Sequence, residues 1–147
     1  MPLLRYIENI GTAGNDFIVG GPRTTSIGGL GNDTMTAGTG DDFVRGGKGN
    51  DTLQGESGND TLFGDKGNDL LVGGDGADIF AFNAESGTDQ ISDFLSGTDK
   101  IQINSTIYAT AQEAVSNFNG GILDLGSSNT VSLVGINSLS ESDILIS

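Results

Sequence analysis

The sequence predicts an all-β chain wound into a right-handed parallel β-roll, a β-helix of nonapeptide repeats closed by a short C-terminal cap of one helix and a hairpin. Three observations carry this. From Gly28 to Ala81 the chain repeats every nine residues: Gly28-Gly-Leu-Gly-Asn-Asp33-Thr-Met-Thr, then Ala37-Gly-Thr-Gly-Asp-Asp42-Phe-Val-Arg, then four more nonapeptides starting at Gly46, Gly55, Gly64 and Gly73. Asp33, Asp42, Asp51, Asp60, Asp69 and Asp78 fall at one place of the repeat, each followed two residues later by a bulky apolar side chain. Glycine occupies the fourth place of all six repeats and the first place of all but one. A short fixed period of this kind sets the architecture before any single strand is assigned.

Composition narrows the function. The 147 residues suffice for one domain, and 20 acidic against 6 basic residues leave a net charge of −14. Nucleic acid and anionic membrane surfaces would be repelled, so neither is expected as a partner. With 35% hydrophobic residues and 25 glycines the core must be thin, and without charge compensation the chain approaches the composition of disordered proteins. Histidine and cysteine are absent. Zinc and copper therefore lack their preferred ligands, and Ser/His/Asp or Cys/His catalysis lacks its parts. Gly47-Lys48 is followed by Gly49 and is no P-loop. Carboxylate pairs abound, but a general acid would need an apolar pocket that a thin roll does not provide. The chain reads as non-enzymatic.

In chain order, residues 1–10 hold no long apolar run because Arg5 and Glu8 interrupt it, so neither a Sec signal peptide nor a membrane span is expected. Tyr6, Ile7 and Ile10 read as a cap strand over the open end of the roll, which itself occupies 11–103. Gly11-Thr-Ala-Gly-Asn-Asp16-Phe-Ile-Val fits the repeat. Gly20-Gly-Pro-Arg-Thr-Thr25-Ser-Ile27 is one residue short, with Arg23 in the place of the fourth glycine and Thr25 in that of the aspartate.

In each regular repeat the glycine-rich first six residues curl, and the last three, such as Thr52-Leu53-Gln54, form a short strand with its middle side chain inward. Met35, Val44, Leu53, Leu62, Leu71 and Phe80 thereby form one file of core residues. Two repeats close one turn, so Asp33, Asp51 and Asp69 line one edge, and Asp42, Asp60 and Asp78 the other. Two carboxylates about 4 Å apart repel by roughly 4 kcal/mol at an effective dielectric near 20, so a cation belongs between them. Calcium takes six to eight oxygens, backbone carbonyls included, whereas magnesium demands a strict octahedron. Ordinary glycine and aspartate turns bound to nothing are the alternative, but turns alone do not require an aspartate at every ninth position.

After Ala81 the register stretches. Gly87-Thr-Asp89-Gln-Ile91 and Gly97-Thr-Asp99-Lys-Ile101 keep a Gly-x-Asp-x-Ile core, with extra residues at Phe82 and Asn83. Residues 104–147 form the cap. Thr110-Ala-Gln-Glu113 is a capping box, and Ala111, Ala114, Val115 and Phe118 have helical spacing, with Asn119-Gly120-Gly121 as the stop. Ile122 to Leu125 and Thr130 to Val134 flank Gly126-Ser-Ser-Asn129 as a hairpin. Ser138-Leu-Ser-Glu141 repeats the capping pattern before a last strand, Asp143 to Ile146.

The nonapeptide resembles the RTX (repeats-in-toxin, haemolysin-type) calcium-binding β-roll family exported by Gram-negative bacteria. In that family the earlier of two loops, two repeats apart, gives the carbonyls of its second and fourth residues and its aspartate, and the later loop gives the carbonyls of its first and third residues and its aspartate. The resemblance implies that Gly29, Gly31 and Asp33 share an ion with Gly46, Lys48 and Asp51. Gly38, Gly40 and Asp42 would pair with Gly55, Ser57 and Asp60; Gly47, Gly49 and Asp51 with Gly64, Lys66 and Asp69; Glu56, Gly58 and Asp60 with Gly73, Asp75 and Asp78. Asp65, Gly67 and Asp69 would face Asp89, and Gly74, Gly76 and Asp78 would face Asp93 or Asp99. Asp16 would share an ion with Asp33, while the departures at Gly20 to Ile27 remove a ligand beside Asp42 and put Arg23 there as a positive charge. The implied total is about five to seven Ca2+ ions.

The tail resembles the uncleaved export signal read by type I secretion machinery, an acidic Asp143 before Ile144-Leu145-Ile146, and a strand that closes the roll explains the same residues. The resemblance implies a secreted, extracellular module that folds on meeting calcium. Two other readings stand beside it: the C-terminal domain of a larger secreted protease, lipase or epimerase, and a surface-recognition module for a protein or glycan that the residues do not name. Ice binding is disfavoured, because the third loop place holds Ala13, Leu30, Thr39, Lys48, Ser57, Lys66 and Asp75 rather than an ordered threonine row. Asp42→Ala and Asp60→Ala should each weaken a run of sites, lowering calcium stoichiometry by titration calorimetry and the melting temperature together. No change in either would rule out aspartates shared between ions.

Overall fold

Hydrogen-bonded partners in the middle of the chain stand two repeats apart. Met35 lies beside Leu53 and Leu53 beside Leu71 in one sheet, while Val44 lies beside Leu62 and Leu62 beside Phe80 in the other. The computed structural model describes residues 7–147. Its first sheet runs β1 (Ile7–Ile10), β3 (Thr24–Leu30), β5 (Phe43–Lys48), β7 (Thr61–Lys66), β9 (Ile79–Phe82), β11 (Lys100–Ile103) and β15 (Ile144–Ile146). The second runs β12 (Phe118–Asn119), β13 (Ile122–Gly126), β14 (Asn129–Leu133), β10 (Thr88–Ile91), β8 (Leu70–Asp75), β6 (Thr52–Ser57), β4 (Thr34–Thr39) and β2 (Phe17–Val19). Chain-neighbouring strands of the roll alternate between the sheets and every pairing within it is parallel, which makes a parallel β-solenoid. Tyr6, part of the expected cap strand, lies outside the described residues; β1 pairs with β3 at the end of the first sheet.

The regular strands are six residues long, not the three that the repeat suggests. Each continues into the first three places of the next repeat. Only the first place drops out of the ladder: pairing passes from Thr36 and Gln54 to Gly38 and Glu56, and then to Thr39 and Ser57. The backbone regains its partners there by taking a left-handed turn in the second place, with φ of +112° at Gly38 and +115° at Gly47. Glu56 and Asp65 adopt the same conformation at +78° and +70° without being glycine.

Met35, Val44, Leu53, Leu62, Leu71 and Phe80 are fully buried, and Ile91 and Ile101 extend the file into the stretched coils. Extra residues there leave the sheets for the loops, so Gln90 pairs with Leu70 and Lys100 with Ile79. The short second repeat shifts differently from the sequence count. Thr24, not Thr25, stands in the aspartate's place, and Ser26 rather than Ile27 lies beside Val44, 1% exposed. The missing residue is taken from the loop, because pairing with β1 and β5 on either side holds the strand in register whatever its side chains prefer.

In the cap, helix α1 (Ala111–Ser116) starts where expected, with the Thr110 hydroxyl accepting the Glu113 N–H at 3.2 Å. It ends before Phe118. Phe118 and Asn119 instead pair antiparallel with Leu123 and Ile122, so Gly120-Gly121, both at positive φ, is a hairpin turn and not a helix stop. The next hairpin turns at Ser127-Ser128 and delivers β14 to β10 in parallel. The capping box before the last strand is Ser140/Asp143, two residues later than Ser138/Glu141, and β15 joins β11.

A left-handed conformation costs a side-chain-bearing residue about 1–2 kcal/mol, partly offset by glycine's greater freedom when unfolded. Glu56→Gly should therefore raise stability by about 0.5–1 kcal/mol in a denaturant titration.

Candidate metal centres

The three residues left outside each pair of strands, places four to six, build the two loop edges. On both edges each aspartate carboxylate reaches back to the coil before it. Asp33 Oδ1 accepts the Asp16 N–H, Asp51 that of Asp33, Asp60 that of Asp42, Asp69 that of Asp51 and Asp78 that of Asp60, each at 2.8 Å. Asp89 and Asp99 continue the files at 3.0 Å from the N–H groups of Asp69 and Asp78. The second oxygen is the informative one. Oδ2 of Asp33, Asp42, Asp51, Asp60, Asp69, Asp78 and Asp89 is buried and has no hydrogen-bond partner. Buried polar atoms are almost always satisfied, and seven orphans in two files mark places where something positive fits.

Backbone carbonyls converge on those oxygens. A Cβ added to Gly28 would stand 2.3 Å from Asp33 Oδ2 and 2.5 Å from the Gly46 carbonyl oxygen. The same pair recurs at Gly46, with Asp51 Oδ2 at 2.4 Å and the Gly64 carbonyl at 2.8 Å, and at Gly55, with Asp60 Oδ2 at 2.3 Å and the Gly73 carbonyl at 2.5 Å. At these three positions a side chain would fill the gap between carboxylate and carbonyl, which favours glycine in the first place; Ala37, buried in the repeat of Asp42, is the one first place of the six that carries a side chain. From the earlier loop, the carbonyls of Gly29, Gly31, Gly40, Gly49, Glu56 and Gly58 point at the next coil, close enough that a Cβ on Gly47, Gly49, Gly58, Gly67, Gly74 or Gly76 would strike them. Third-place carbonyls of Lys48, Ser57, Lys66 and Asp75 each accept one N–H, from Gly31, Gly40, Gly49 and Gly58. A second lone pair remains on each. Among the described residues no group of three or more His, Cys, Asp or Glu side chains is gathered. A cation here would draw mainly on carbonyls, with two carboxylates, which is a donor set suited to a hard ion of high coordination number.

The ends differ. Asp16 is only half-buried, and its Oδ2 accepts the Thr12 N–H at 2.6 Å. Of the two partners expected for Asp78, Asp99 stands in its file, while Asp93 accepts the N–H groups of Gly73 and Gly74 at 3.0 and 2.8 Å. Asp99 Oδ2 is itself occupied by the Leu95 N–H at 2.9 Å. Arg23 takes the fourth place at φ +58° but makes no ion pair among the described residues, so the charge expected beside Asp42 is not delivered. Thr24 takes over instead, giving Asp42 its N–H and its hydroxyl. Reasoning from charge does not reach the fifth place, where Asn32, Asp41, Asn50, Asn59 and Asn68 recur beside the aspartates; the nine-residue recurrence is the signal that marks them.

Burial pushes the Asp89 carboxyl up to about 8 and those of Asp60, Asp69 and Asp78 to about 6; N–H donation from the preceding aspartate pulls the other way, and neighbouring carboxylates add to the rise. Asp42 and Asp51 are raised for the same leading reason. Without a cation, these groups hold protons at pH values where free aspartates are ionised.

A family model for the RTX calcium-binding nonapeptide repeat matches the chain in four copies, over residues 10–22, 27–62, 45–80 and 54–91. Among solved structures, the extracellular lipase LipA from Serratia marcescens is similar at 17% identity, with a TM-score of 0.48 over 99% of this chain and 41% of the lipase. The chain thus spans well under half of that protein's length. A comparison with curated proteins finds no match.

Because the folded-state values lie above the unfolded one near 4, protonation favours the metal-free fold: its contribution is complete below about pH 4 and is lost as pH rises through about 6 to 8. In chelator, the β signal in circular dichroism should therefore be larger near pH 4 than near pH 8, and excess calcium should reverse the order.

Proposed function

The chain belongs to the RTX calcium-binding nonapeptide-repeat family, and from that premise we propose that it is a calcium-responsive folding module that is exported unfolded and folds outside the cell. The RTX β-roll is a structural calcium-binding unit and not a catalytic one. The observation that carries the proposal is the double file of buried aspartate oxygens without partners, which leaves the coils incomplete until cations enter. Residues 11–103 form the calcium-binding roll, with about five to seven ions, and 104–147 the cap. The ligands are the aspartates in file from Asp33 to Asp89 with the first- to fourth-place carbonyls beside them. Asp16 and Asp99 complete the end sites less fully, because the Oδ2 that the other aspartates leave free is already engaged in each.

The energetics are adequate. Extracellular calcium modules have dissociation constants of roughly 0.1 to 1 mM. At ten times that concentration each site adds about 1.4 kcal/mol, and about six sites roughly 8 kcal/mol, which is the scale of a whole domain's stability. In a cytosol poor in calcium the same chain gains none of this and is held open by its own carboxylates. That state suits passage through a type I exporter. The tail supports the reading, because Asp143 and Ile144 become buried and β15 finds its partner β11 only once the last coils exist.

Far-ultraviolet circular dichroism during a calcium titration of chelated protein, with magnesium as control, tests the proposal. A cooperative gain of β signal with calcium alone is expected. A chain already fully folded in chelator at neutral pH would remove the calcium switch and, with it, export in the unfolded state.

A further inference from the structure

The proposed ion sites lie between stacked loops, so whatever holds one coil against the next also sets the gap an ion must fill. Two hydrogen bonds of opposite direction join stacked loops wherever the earlier one carries an acceptor side chain in the fifth place. In the sixth place the earlier loop donates: Asp33 N–H to Asp51 Oδ1 and Asp51 N–H to Asp69 Oδ1, both at 2.8 Å. In the fifth place the later loop donates: Asn50 N–H to Asn32 Oδ1 at 2.8 Å and Asn68 N–H to Asn50 Oδ1 at 2.9 Å. This ladder begins where Asn15 accepts the Asn32 N–H at 2.8 Å and ends where Asn68 accepts that of Thr88 at 3.0 Å. On the opposite edge Asp41 accepts the Asn59 N–H and Asn59 that of Ala77, both at 2.9 Å.

The fifth place needs one thing only, an acceptor oxygen. Asp41 substitutes for asparagine there, and the second ladder stops at Ala77, which has no side-chain oxygen. The fifth-place side chains are exposed, whereas the sixth-place carboxylates beside them are buried. Their role is therefore not to fill the core. The fifth residue's N–H is tied to the coil before and the sixth residue's N–H to the coil after, so two successive peptides are held in opposite directions, which resists both sliding and compression of the stack.

We infer that the fifth-place side chains, Asn32, Asn50, Asn68, Asp41 and Asn59, are positioning residues that fix the coil-to-coil gap and so favour calcium over magnesium; this rests on the calcium reading above. Magnesium needs oxygens at about 2.0–2.1 Å in an octahedron, calcium at about 2.3–2.6 Å with more ligands. A smaller ion is held well only if the loops close in on it, and the reciprocal pair of bonds opposes that closure.

Asn50→Ala removes the acceptor for the Asn68 N–H and leaves every proposed ligand in place; Asn50→Asp keeps an acceptor, as Asp41 does naturally. Calcium and magnesium dissociation constants of the full chain and both variants, measured by titration calorimetry, test the inference. Asn50→Ala should weaken calcium about three- to tenfold, the worth of one neutral hydrogen bond, with magnesium unchanged or tighter, while Asn50→Asp keeps the wild-type ratio. An unchanged ratio in Asn50→Ala overturns the inference even if the melting temperature falls, because a purely structural ladder moves stability and not selectivity. Should Asn50→Ala not fold in calcium, Asn68→Ala, where only the Thr88 N–H loses its acceptor, carries the same comparison. A wild-type chain that binds no calcium overturns the calcium reading and the inference together; calcium binding with an unchanged ratio overturns the inference alone.

Discussion

Everything in this roll depends on aspartates stacked one coil apart with one oxygen engaged and one free. Oδ1 of each carboxylate accepts a backbone N–H from the preceding coil, so the carboxylate is itself a rung of the stack. That contact draws the negative charges together, and burial raises the cost of keeping them ionised. The same side chain thus builds the fold and opposes it. A cation, or at acid pH a proton, resolves the conflict, which is why folding and ion binding are one event in a chain so built.

The remaining features follow from the small amount of apolar material available. Each repeat contributes one fully inward side chain, from Met35 to Phe80, and this file cannot by itself outweigh the entropy of ordering so many glycines. Glycine in five of the six first places answers to the oxygens: at Gly28, Gly46 and Gly55 the carboxylate and the next coil's carbonyl occupy the space a Cβ would take. The architecture therefore exchanges core for ligands, and its stability moves from the interior to the two loop edges.

A solenoid without ends would go on pairing, and the cap stops it in both sheets. The hairpin of β13 and β14 covers β10 in the second sheet, and β15 covers β11 in the first. Asp143 fastens the second closure. Burial alone would raise its carboxyl, but N–H groups of Ser140 and Gly97 and hydroxyls of Ser140 and Ser96 more than offset that and hold it low. Two of those donors, Ser96 and Gly97, come from the loop that leads to Asp99, so the tail and the last aspartate of the file are ordered together.

The nine-residue spacing alone determined the solenoid, the alternation of edges, the core file and the identity of the stacked aspartates, because each of these needs only a period and a side-chain type. The start of the cap helix and the Ser127-Ser128 hairpin were equally local and equally legible. Tertiary structure decided what depends on neighbouring coils. Thr24 and Ser26 took their places because β1 and β5 held the strand between them in register, and local spacing does not contain that competition. Asp99 rather than Asp93 joined the file because the inserted residues went into loops and the strands kept their pairing. Gly120-Gly121 became a turn because Phe118 had a strand to pair with. Which oxygen of each carboxylate is bound and which is left free appears only when one coil is laid on another, since the donor that decides it comes from two repeats away.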